Sequence, residues 1–562
     1  GKPYDEATDD YHREPFAADV SEGKYDPLYK LHSYPTKVPP KAISRYIEHY
    51  TNPGDIVLDG FCGTGMTGIA AQTCKHRRYA ILSDLSPTAT YISSVYNSPK
   101  RVKSIISRME EIISNCRKDL GWIYETNPSD NQSSSFLGKT KGYINYTVWS
   151  KVVICPHCGI SIVVWDRTIT YDFDKSIGSV IEKPTCQKCG INLDIAKCEP
   201  EIEHVFVDGK VCETQKYIPV LINYTYGGKR LEKTPSQQDL ELINKISNTA
   251  IPGWYPKNKM MNIGEKWGDS YRAGCHKGIT RVDDFFTRRS LMVYSYIWNL
   301  IEQSDNDIQN DLRFICTACF NRTTKMVRYM AQHKEKNVGP LSGTLYLSPI
   351  FGEINVIENI SDRFQKWKNA FMSEAQLING PNTTCITTQS TTDLQLPSNS
   401  IDYIFVDPPF GDNLMYSELN FITDAWLKVY ENNQNEAIIN NSQGKLPEQY
   451  KTLMKKSFER MFTALKPNRW ITVEFHNSKN LIWNIIQEAI VSSGFIIADV
   501  RTLDKKKGTT KQMVYTSSVK QDLVISAYKP KESFRREFEL HAGTEETAWS
   551  FVRQHLEKLP VV

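Results

Sequence analysis

The chain has 562 residues, of which 40% are hydrophobic and 23% charged, and its formal net charge is +4. This length exceeds one ordinary hydrophobic core and predicts two or three domains. The mild basicity does not by itself indicate a nucleic-acid binder, so any such contact must come from local clusters. No apolar run reaches the length of about 18 residues that a membrane helix needs, so we expect no membrane span.

Cysteine usage and the N-terminus indicate the compartment. The chain has 13 cysteines, and two Cys-x-x-Cys-Gly pairs stand out among them. In a chain of this size the pattern is typical of a reducing cytoplasm and a metal site, and not of a disulfide framework. The segment from Gly1 to Asp5 lacks a secretory-signal pattern. It also lacks an initiating methionine, so we expect a trimmed or incomplete chain.

An α/β pattern starts at residue 56. The predicted elements are strands over 56–58 and 79–82 and helices over 66–73 and 87–95. The first strand ends in Asp59 and the second ends near Asp84, and a glycine-rich turn separates the first strand from the first helix. This order of elements predicts a parallel, doubly wound sheet.

The pattern breaks after residue 125 and resumes late in the chain. The later predicted elements are strands over 401–406 and 470–475, a helix over 481–492, and an antiparallel hairpin of 495–503 with 523–528. We therefore predict one α/β domain that a long insertion splits. The predicted segments are 1–125 and 351–530 for the α/β domain, 126–350 for the insertion and 531–562 for a helical tail.

The turn after the first strand, GTGMTG at residues 63–68, is a G-x-G-x-x-G pattern. Glycines such as Gly63 and Gly65 let the backbone approach a ligand closely, and the Asp84 carboxylate can accept hydrogen bonds from ribose hydroxyls. This pattern alone fits either a nicotinamide dinucleotide or S-adenosylmethionine.

Two residues beside this turn favour S-adenosylmethionine. Asp59 places a carboxylate just before the loop, where it suits a ligand with an ammonium and a sulfonium group but would repel a pyrophosphate. Phe61 completes the pattern Asp-x-Phe-x-Gly-x-Gly; the alternative is that Phe61 is only a core aromatic residue.

The strand over 401–406 leads into Asp407-Pro408-Pro409-Phe410. In an open α/β sheet, ligands bind beyond the carboxyl ends of strands. The Asp407 carboxylate and the Pro408 carbonyl can accept the two hydrogens of an exocyclic amine and aim its nitrogen at a methyl group. Phe410 offers a flat face for a base flipped out of a duplex. The alternative is an ordinary Asp-Pro-Pro turn.

These motifs together resemble the amino-methyltransferases with a [DNS]-P-P-[YFW] motif, and more closely the adenine-specific DNA methylases that contain a zinc ribbon. The resemblance continues from Asp407 to Lys428, includes DFFTRRSL at 284–291, and covers residues 30–530 in outline. It implies a class I, Rossmann-like methyltransferase fold, S-adenosylmethionine as cofactor and DNA as partner. It also implies a restriction-modification or phage-defence system with further subunits. Phe410 stands where tyrosine is commoner, which leaves both adenine and cytosine open.

The resemblance extends to residues before the glycine turn. HSYPTKVPP at 32–40 is similar to a motif that closes over the methionine end of the cofactor, which makes Thr36 and Lys37 candidates for cofactor binding. The alternative is a proline-rich entry loop with a solvated lysine. Asp393, shortly before the strand over 401–406, either binds the adenine amino group of the cofactor or is a simple loop acid.

The two Cys-x-x-Cys-Gly knuckles lie in the insertion and contain Cys155 with Cys158 and Cys186 with Cys189. Four thiolates at this spacing suit tetrahedral Zn²⁺, and each glycine eases the turn around the metal. Because four cysteines leave no open position for water, we predict a structural zinc ribbon that supports target recognition. A third pair at 316–319 fits a packed helix better than a ligand set.

Two basic clusters are candidates for DNA contact. The lysines at 505–507 and 511 either bind phosphates, with a salt-dependent affinity, or form a solvated turn. Arg288 and Arg289 in the insertion either contact DNA or cap and pack a helix.

The sequence therefore predicts a cytoplasmic, S-adenosylmethionine-dependent methyltransferase of the N6 amino group of adenine in DNA. One alternative changes the target to cytosine N4 or an RNA base. Another is a catalytically idle DNA-binding defence subunit, against which the intact Asp59, Gly63 and Asp407 argue. A nicotinamide oxidoreductase would leave the Asp407 motif and the cysteine pairs unexplained.

Overall fold

The structure is a computed structural model. It describes residues 4–18, 26–128, 141–207, 210–260, 279–333, 335–373, 382–475, 477, 479–503, 522–540, 552 and 555. The lysine cluster at 505–507 and 511 and the greater part of the predicted helical tail lie outside the described residues.

The strands of the described residues are numbered β1 to β19 in chain order. Their bounds are Ile56–Asp59, Tyr79–Asp84, Glu125–Thr126, Gly142–Ile154, Ser161–Val163, Ile169–Asp172, Ile177–Val180, Ile202–Val207, Lys210–Gln215, Tyr217–Tyr226, Lys229–Lys233, Arg328–Tyr329, Asn337–Val338, Ile350–Ile354, Thr384–Thr388, Ile401–Val406, Leu465–Phe475, Ile496–Leu503 and Asp522–Tyr528.

The α-helices of the described residues are numbered α1 to α14 in the same way. Their bounds are Pro40–Tyr50, Met66–Thr73, Pro87–Asn97, Val102–Leu120, Val164–Thr168, Gln237–Asn248, Arg288–Glu302, Asn306–Thr317, Phe320–Thr323, Val356–Ser373, Tyr416–Leu427, Pro447–Ala464, Asn480–Ser492 and Glu532–Leu540.

The chain divides into two compact units. Unit 1 consists of Gly1–Lys100, Asn369–Asn420 and Val429–Val562, and unit 2 consists of Arg101–Lys368 and Phe421–Lys428. The four-segment division given above stays a prediction.

Unit 1 contains a seven-stranded sheet in the order β15-β2-β1-β16-β17-β19-β18. The first five strands of this order are parallel, and β19 runs antiparallel to both β17 and β18. The chain adds strands to one side of β1 and then returns to place β16 on its other side. The predicted α/β sheet and its late antiparallel hairpin are confirmed, in a mixed sheet of Rossmann-like order.

Side chains alternate along β16 and cover both faces of this sheet. On one face the Tyr403 ring stacks on Tyr50 of α1, with ring centroids 5.1 Å apart. On the other face Ile404 and Val406 belong to a hydrophobic core that α12 and α13 complete. Burial on both faces explains why this strand is apolar throughout.

Unit 2 contains an antiparallel sheet in the order β11-β10-β4-β14-β12-β13, and β3 and β5 also pair with β4. The hairpins β6–β7 and β8–β9 lie outside this sheet. A separate hydrophobic core includes Val148 and Leu221 of the sheet together with Cys155 and Cys186.

Among the described residues, no helix combines the length and the apolar character that crossing a membrane requires.

Candidate active site and metal centre

The reversal of strand order in unit 1 brings two loops together. Val57 of β1 pairs with Tyr403 of β16, and both strands point the same way. Their carboxyl ends therefore lie side by side, with Asp59 closing β1 and Asp407 following β16. Such a switch point is where open α/β sheets bind ligands.

The loop after β1 needs glycine at two positions. Gly63 and Gly65 have φ values of 48° and 76°, which side chains disfavour. A Cβ on Gly65 would overlap Ser93 and lie 2.6 Å from Nδ2 of Asn97. The loop is closed by a 2.7 Å hydrogen bond from the Gly65 amide to the Cys62 carbonyl. The predicted tight turn between β1 and α2 is confirmed.

Asp59 lies beneath this loop and is buried. Its carboxylate accepts a 2.6 Å hydrogen bond from the Thr67 hydroxyl and a 3.1 Å hydrogen bond from the Phe61 amide. Burial raises the pKa of Asp59 to about 7, against these hydrogen bonds, which lower it. The carboxylate therefore supports the loop from below.

Asp84, at the end of β2, joins the second strand to the glycine loop. Its carboxylate accepts hydrogen bonds of 2.8 Å from the Gly63 amide and 2.9 Å from the Ser86 amide. Burial raises the pKa of Asp84 to about 6. Unlike Asp59, it lines the cavity described next.

One cavity in unit 1 contacts both loops. Its lining residues are Tyr34, Thr36, Phe61, Gly63, Asp84, Leu85, Ser86, Ser390, Thr391, Thr392, Asp407, Pro409, Tyr416, Glu431, Asn435, Glu436, Ala437, Leu453 and Ser457. Phe61, Gly63, Asp84 and Asp407 thus share a single cavity. Its described lining contains four carboxylic acids and no lysine, arginine or histidine.

The backbone after Asp407 is fixed by donors from three other segments. The Pro409 carbonyl accepts a 2.7 Å hydrogen bond from the Tyr450 hydroxyl. The Phe410 carbonyl accepts a 2.8 Å hydrogen bond from Asn477. The next carbonyl, that of Gly411, accepts a 3.2 Å hydrogen bond from a backbone amide of the 431–444 segment. These carbonyls are already engaged, and among the described residues no such donor contacts the Pro408 carbonyl.

The Phe410 ring packs into the core of unit 1. It is 8% exposed and meets Phe475 edge-to-face, with ring centroids 5.3 Å apart. The ring is not among the described residues that line the cavity. The structure therefore places the Phe410 ring in the hydrophobic core and not in the cavity.

The remaining cofactor candidates are placed differently from one another. Thr36 lines the cavity, and its hydroxyl lies 3.3 Å from that of Tyr416. The Lys37 ammonium donates a 2.6 Å hydrogen bond to the His32 carbonyl and lies over the Tyr29 ring. Asp393 is exposed, whereas the three residues before it line the cavity.

Several lining residues were not assigned roles from the sequence. Tyr34 and Tyr416 lie in motifs that carried the family resemblance, so their presence near the site had a sequence signal. Glu436 lies in the polar, asparagine-rich segment 431–444, which has no motif around it. A single glutamate in such a segment is expected to be solvated, and only the tertiary structure shows that it is buried.

The four predicted metal ligands converge in unit 2. The sulfur atoms of Cys155, Cys158, Cys186 and Cys189 all lie within 4.8 Å of one another. The sulfur atoms of Cys155 and Cys189 are 3.8 Å apart, and those of Cys158 and Cys186 are 3.6 Å apart. Zinc–sulfur bonds of about 2.3 Å in a tetrahedron require sulfur atoms about 3.8 Å apart. The cluster is compatible with zinc.

Each half of the cluster has the same backbone conformation. The glycines that follow Cys158 and Cys189, Gly159 and Gly190, both have a φ of 71°. Their amides donate hydrogen bonds of 3.0 and 2.9 Å to the carbonyls of Cys155 and Cys186. The predicted role of these glycines in the turn is consistent with this geometry.

Other groups singled out in the insertion are packed. Cys316 and Cys319 are fully buried and lie outside the four-cysteine cluster. Arg289 is 3% exposed, and its guanidinium forms an ion pair with Glu353. Arg288 donates a 2.6 Å hydrogen bond to the Thr249 carbonyl. For this arginine pair, the structure favours the packing alternative over DNA contact.

Comparison with known proteins gives a partial match. The search of curated proteins found no match. Among solved structures, a putative methyltransferase from Thermoplasma acidophilum is 9% identical, with 30% of this chain and 54% of that chain covered and a TM-score of 0.17. A phosphoethanolamine N-methyltransferase of Haemonchus contortus is 13% identical, with 30% and 42% covered and a TM-score of 0.17. The chain thus spans about half the length of these two proteins.

A methyltransferase from Methanosarcina mazei is 12% identical, with 31% of this chain and 79% of that chain covered and a TM-score of 0.17. Strand order and pairing define the fold of unit 1 without reference to these three structures. Residues 6–94, which include the glycine loop and Asp84, match the family model described as DNA methylase. This match supports an amino-methyltransferase of the DNA methylase type.

Proposed function

We propose that the chain transfers a methyl group from S-adenosylmethionine to the exocyclic N6 amino group of adenine in DNA. The observation that carries this proposal is that the glycine loop with Asp84 and the Asp407 loop line one cavity. A cofactor loop and an amine-accepting loop must meet for direct transfer, because the reacting atoms have to be held within about 3–3.5 Å of each other.

The proposed cofactor contacts come from one side of this cavity. Asp84 would accept hydrogen bonds from ribose hydroxyls, Gly63 would allow close backbone approach, and Phe61 would pack against the ligand. Gly65 would keep the loop tight by leaving room for Ser93 and Asn97. Thr36 is a further candidate contact. S-adenosylmethionine would supply an electrophilic methyl group on a sulfonium centre.

Two candidates would act indirectly. Lys37 would hold the backbone that carries Thr36, since its ammonium binds the His32 carbonyl. Asp59 would support the glycine loop through Thr67. Asp393 stays a candidate for the adenine amino group of the cofactor, at the exposed end of the segment that lines the cavity.

The charge of the cavity favours this cofactor over a dinucleotide. Its described lining includes Asp84, Asp407, Glu431 and Glu436, with no cationic side chain to offset them. A pyrophosphate would be repelled by these carboxylates, whereas a sulfonium would be attracted. This argument disfavours the oxidoreductase alternative.

For catalysis, the Asp407 carboxylate and the Pro408 carbonyl would accept the two hydrogens of the target amine. Asp407 would also hold the proton that the nitrogen loses on methylation. The engaged carbonyls of Pro409 and Phe410 keep the loop in place, so little reorganisation accompanies the transfer.

We propose DNA as the substrate and unit 2 as the region that supports target recognition, with Zn²⁺ bound by the four cysteines in a structural role. The target base would have to leave the duplex to reach the cavity. A restriction-modification or phage-defence system with further subunits is the proposed setting. Cytosine N4 is the second candidate target, because Phe410 replaces the tyrosine that is commoner in the adenine enzymes.

A transfer assay tests the proposal. Purified chain is incubated with methyl-labelled S-adenosylmethionine and either DNA or RNA that lacks modified bases, and the product is digested to nucleosides. We expect label in N6-methyldeoxyadenosine. Label only in N4-methyldeoxycytidine or only in RNA would refute the adenine assignment, and absence of label from every nucleic acid would support an idle subunit.

A further inference from the structure

A target base in the cavity would need a flat side chain beside it. A base that has left the duplex is held by hydrogen bonds to its edge and by stacking between aromatic or apolar side chains. Asp407 and the Pro408 carbonyl can supply the acceptors, but neither offers an aromatic face. The sequence predicts Phe410 for this role.

The packing of Phe410 opposes that role. Its ring lies against Phe475 in the core, and its carbonyl is held by Asn477. Asn477 is itself fully buried and accepts a hydrogen bond from the Lys479 amide at 2.8 Å. Turning the Phe410 ring into the cavity would break its packing against Phe475.

Among the described residues, three other aromatic side chains line the cavity: Phe61, Tyr34 and Tyr416. Phe61 lies in the glycine loop itself, two residues after Asp59. The Tyr34 ring belongs to the glycine loop, since its Cε1 atom lies 3.6 Å from the place a Cβ on Gly63 would take. Its hydroxyl accepts a 3.4 Å hydrogen bond from Asn420. These contacts place the Tyr34 ring beside the glycine loop that contains Phe61.

Tyr416 is the third aromatic lining residue, and it shares the cavity with Asp407 and Asp84. Burial raises the pKa of Tyr416, and the negative charges of Asp407 and Asp84 raise it further. The phenol is therefore neutral, and it lies near the carboxylates of both Asp84 and Asp407. Its hydroxyl is already placed 3.3 Å from that of Thr36.

The backbone at Tyr416 is fixed by a buried carboxylate. Glu436 accepts hydrogen bonds from the amide and the hydroxyl of Ser417, at 2.9 and 2.6 Å, and so anchors the first turn of α11. Lys445 lies 3.4 Å from the same carboxylate. A carboxylate at the start of a helix is also favoured by the helix dipole. Glu436 therefore fixes the backbone next to Tyr416 through Ser417.

We infer that Tyr416, and not Phe410, is the aromatic residue that contacts the target base. This inference rests on the proposed function. The ring provides the stacking surface, and the hydroxyl bonded to Thr36 only orients it. Stacking by the ring and contact by the hydroxyl can be told apart by substitution. Phenylalanine preserves the ring and removes the hydroxyl, whereas leucine removes both.

The experiment compares Tyr416→Phe and Tyr416→Leu in the full chain, with DNA that lacks modified bases as substrate. Loss of one stacked base costs about 1–3 kcal/mol, so Tyr416→Leu should lower kcat/KM for DNA roughly 5- to 150-fold. Tyr416→Phe should stay within about threefold of the wild type. The Kd of S-adenosylmethionine, measured by calorimetry, should be unchanged in Tyr416→Leu.

Tyr79→Leu is the matched control, because Tyr79 is 52% exposed on β2 and lies outside the cavity. It should retain the wild-type kcat/KM. Phe410→Leu should lower the free energy of unfolding, because it removes ring packing from the core. Its kcat per folded chain should fall less than that of Tyr416→Leu.

Four results would overturn the inference. Equal losses in Tyr416→Phe and Tyr416→Leu would show that the hydroxyl matters, and a weaker Kd for S-adenosylmethionine would assign Tyr416 to the cofactor. If the wild-type chain methylates DNA and Tyr416→Leu has the same kcat/KM, this inference alone is refuted. A wild-type chain that transfers no label to DNA would refute the proposed function and this inference together.

Discussion

The hydroxyl of Tyr450 on α12 donates a 2.7 Å hydrogen bond to the carbonyl oxygen of Pro409. Tyr450 is fully buried in the hydrophobic core of unit 1. The bond therefore ties the loop that follows Asp407 to the hydrophobic core beside the sheet. It restrains a proline-rich loop whose own backbone has few amide donors to hold it.

Tyr450→Phe should weaken the loop without removing the core aromatic ring. The lost hydrogen bond should lower the free energy of unfolding by about 0.5–1.5 kcal/mol. We expect kcat for methyl transfer to fall by a larger factor than KM for DNA rises, because the acceptors near Asp407 lose their fixed position. Urea unfolding and steady-state kinetics measure the two effects.

Tyr79→Phe provides the control for Tyr450→Phe, since the exposed Tyr79 should tolerate the same change with no loss in either measurement. An unchanged kcat in a measurably destabilised Tyr450→Phe would mean that the bond serves stability alone.

Substitution of Asp407 should separate an acceptor role from a charge role. Asp407→Ala removes the acceptor, and we expect kcat to fall by a factor on the order of 10²–10³, as for loss of one preorganised transition-state contact. Asp407→Asn keeps an acceptor oxygen and should retain more activity. The Kd of S-adenosylmethionine should change little in Asp407→Ala, and unchanged methylation in that variant would refute the mechanism.

The raised pKa values of Asp84 and Asp59 predict a pH dependence of folding. Because the folded chain holds these protons more tightly than the unfolded chain, the two groups favour folding fully below the unfolded pKa of about 4. That contribution is lost as the pH rises through about 6 for Asp84 and about 7 for Asp59.

Cofactor binding should release protons from the same groups. A positive sulfonium stabilises the ionised carboxylates, so S-adenosylmethionine should release on the order of one proton between pH 6 and 7. Calorimetry in buffers of different ionisation enthalpy measures the number. S-adenosylhomocysteine lacks the sulfonium charge and should release fewer protons, and equal release by both ligands would contradict the electrostatic argument.

Removal of one cluster cysteine should remove the metal. We expect about one Zn²⁺ per wild-type chain and a large loss of zinc in Cys186→Ser, because a structural site needs all four ligands. Metal analysis and thiol titration measure this. Cys385→Ser is the control, since Cys385 is exposed and lies outside the cluster; equal zinc in both variants would refute the site.

Gly65→Ala should lower the free energy of unfolding more than Gly54→Ala does. Gly65 and Gly54 both have positive φ, but a Cβ on Gly54 meets nothing within 4 Å, whereas one on Gly65 meets Ser93 and Asn97. Gly54→Ala should cost only the left-handed strain of about 1–2 kcal/mol. Gly65→Ala should cost more and weaken cofactor binding; equal destabilisation of the two variants would mean that the loop can move aside.

The sequence by itself determined the local elements and the types of chemistry. The helix at Met66–Thr73 and the strand at Ile401–Val406 were predicted with the observed bounds, because flanking glycines, prolines and apolar runs act within a few residues. The cysteine spacing likewise predicted a cluster, since each knuckle is a local turn.

Only the tertiary structure decided which side chains face the cavity. Whether Phe410 turns toward a ligand or toward Phe475 depends on packing partners far away in the chain, and the same holds for Arg289 and Glu353. Glu436 is buried because α11 needs an acceptor for the amide of Ser417, a requirement that no sequence motif records. Local patterns fix what a residue can do, and long-range packing fixes where it points.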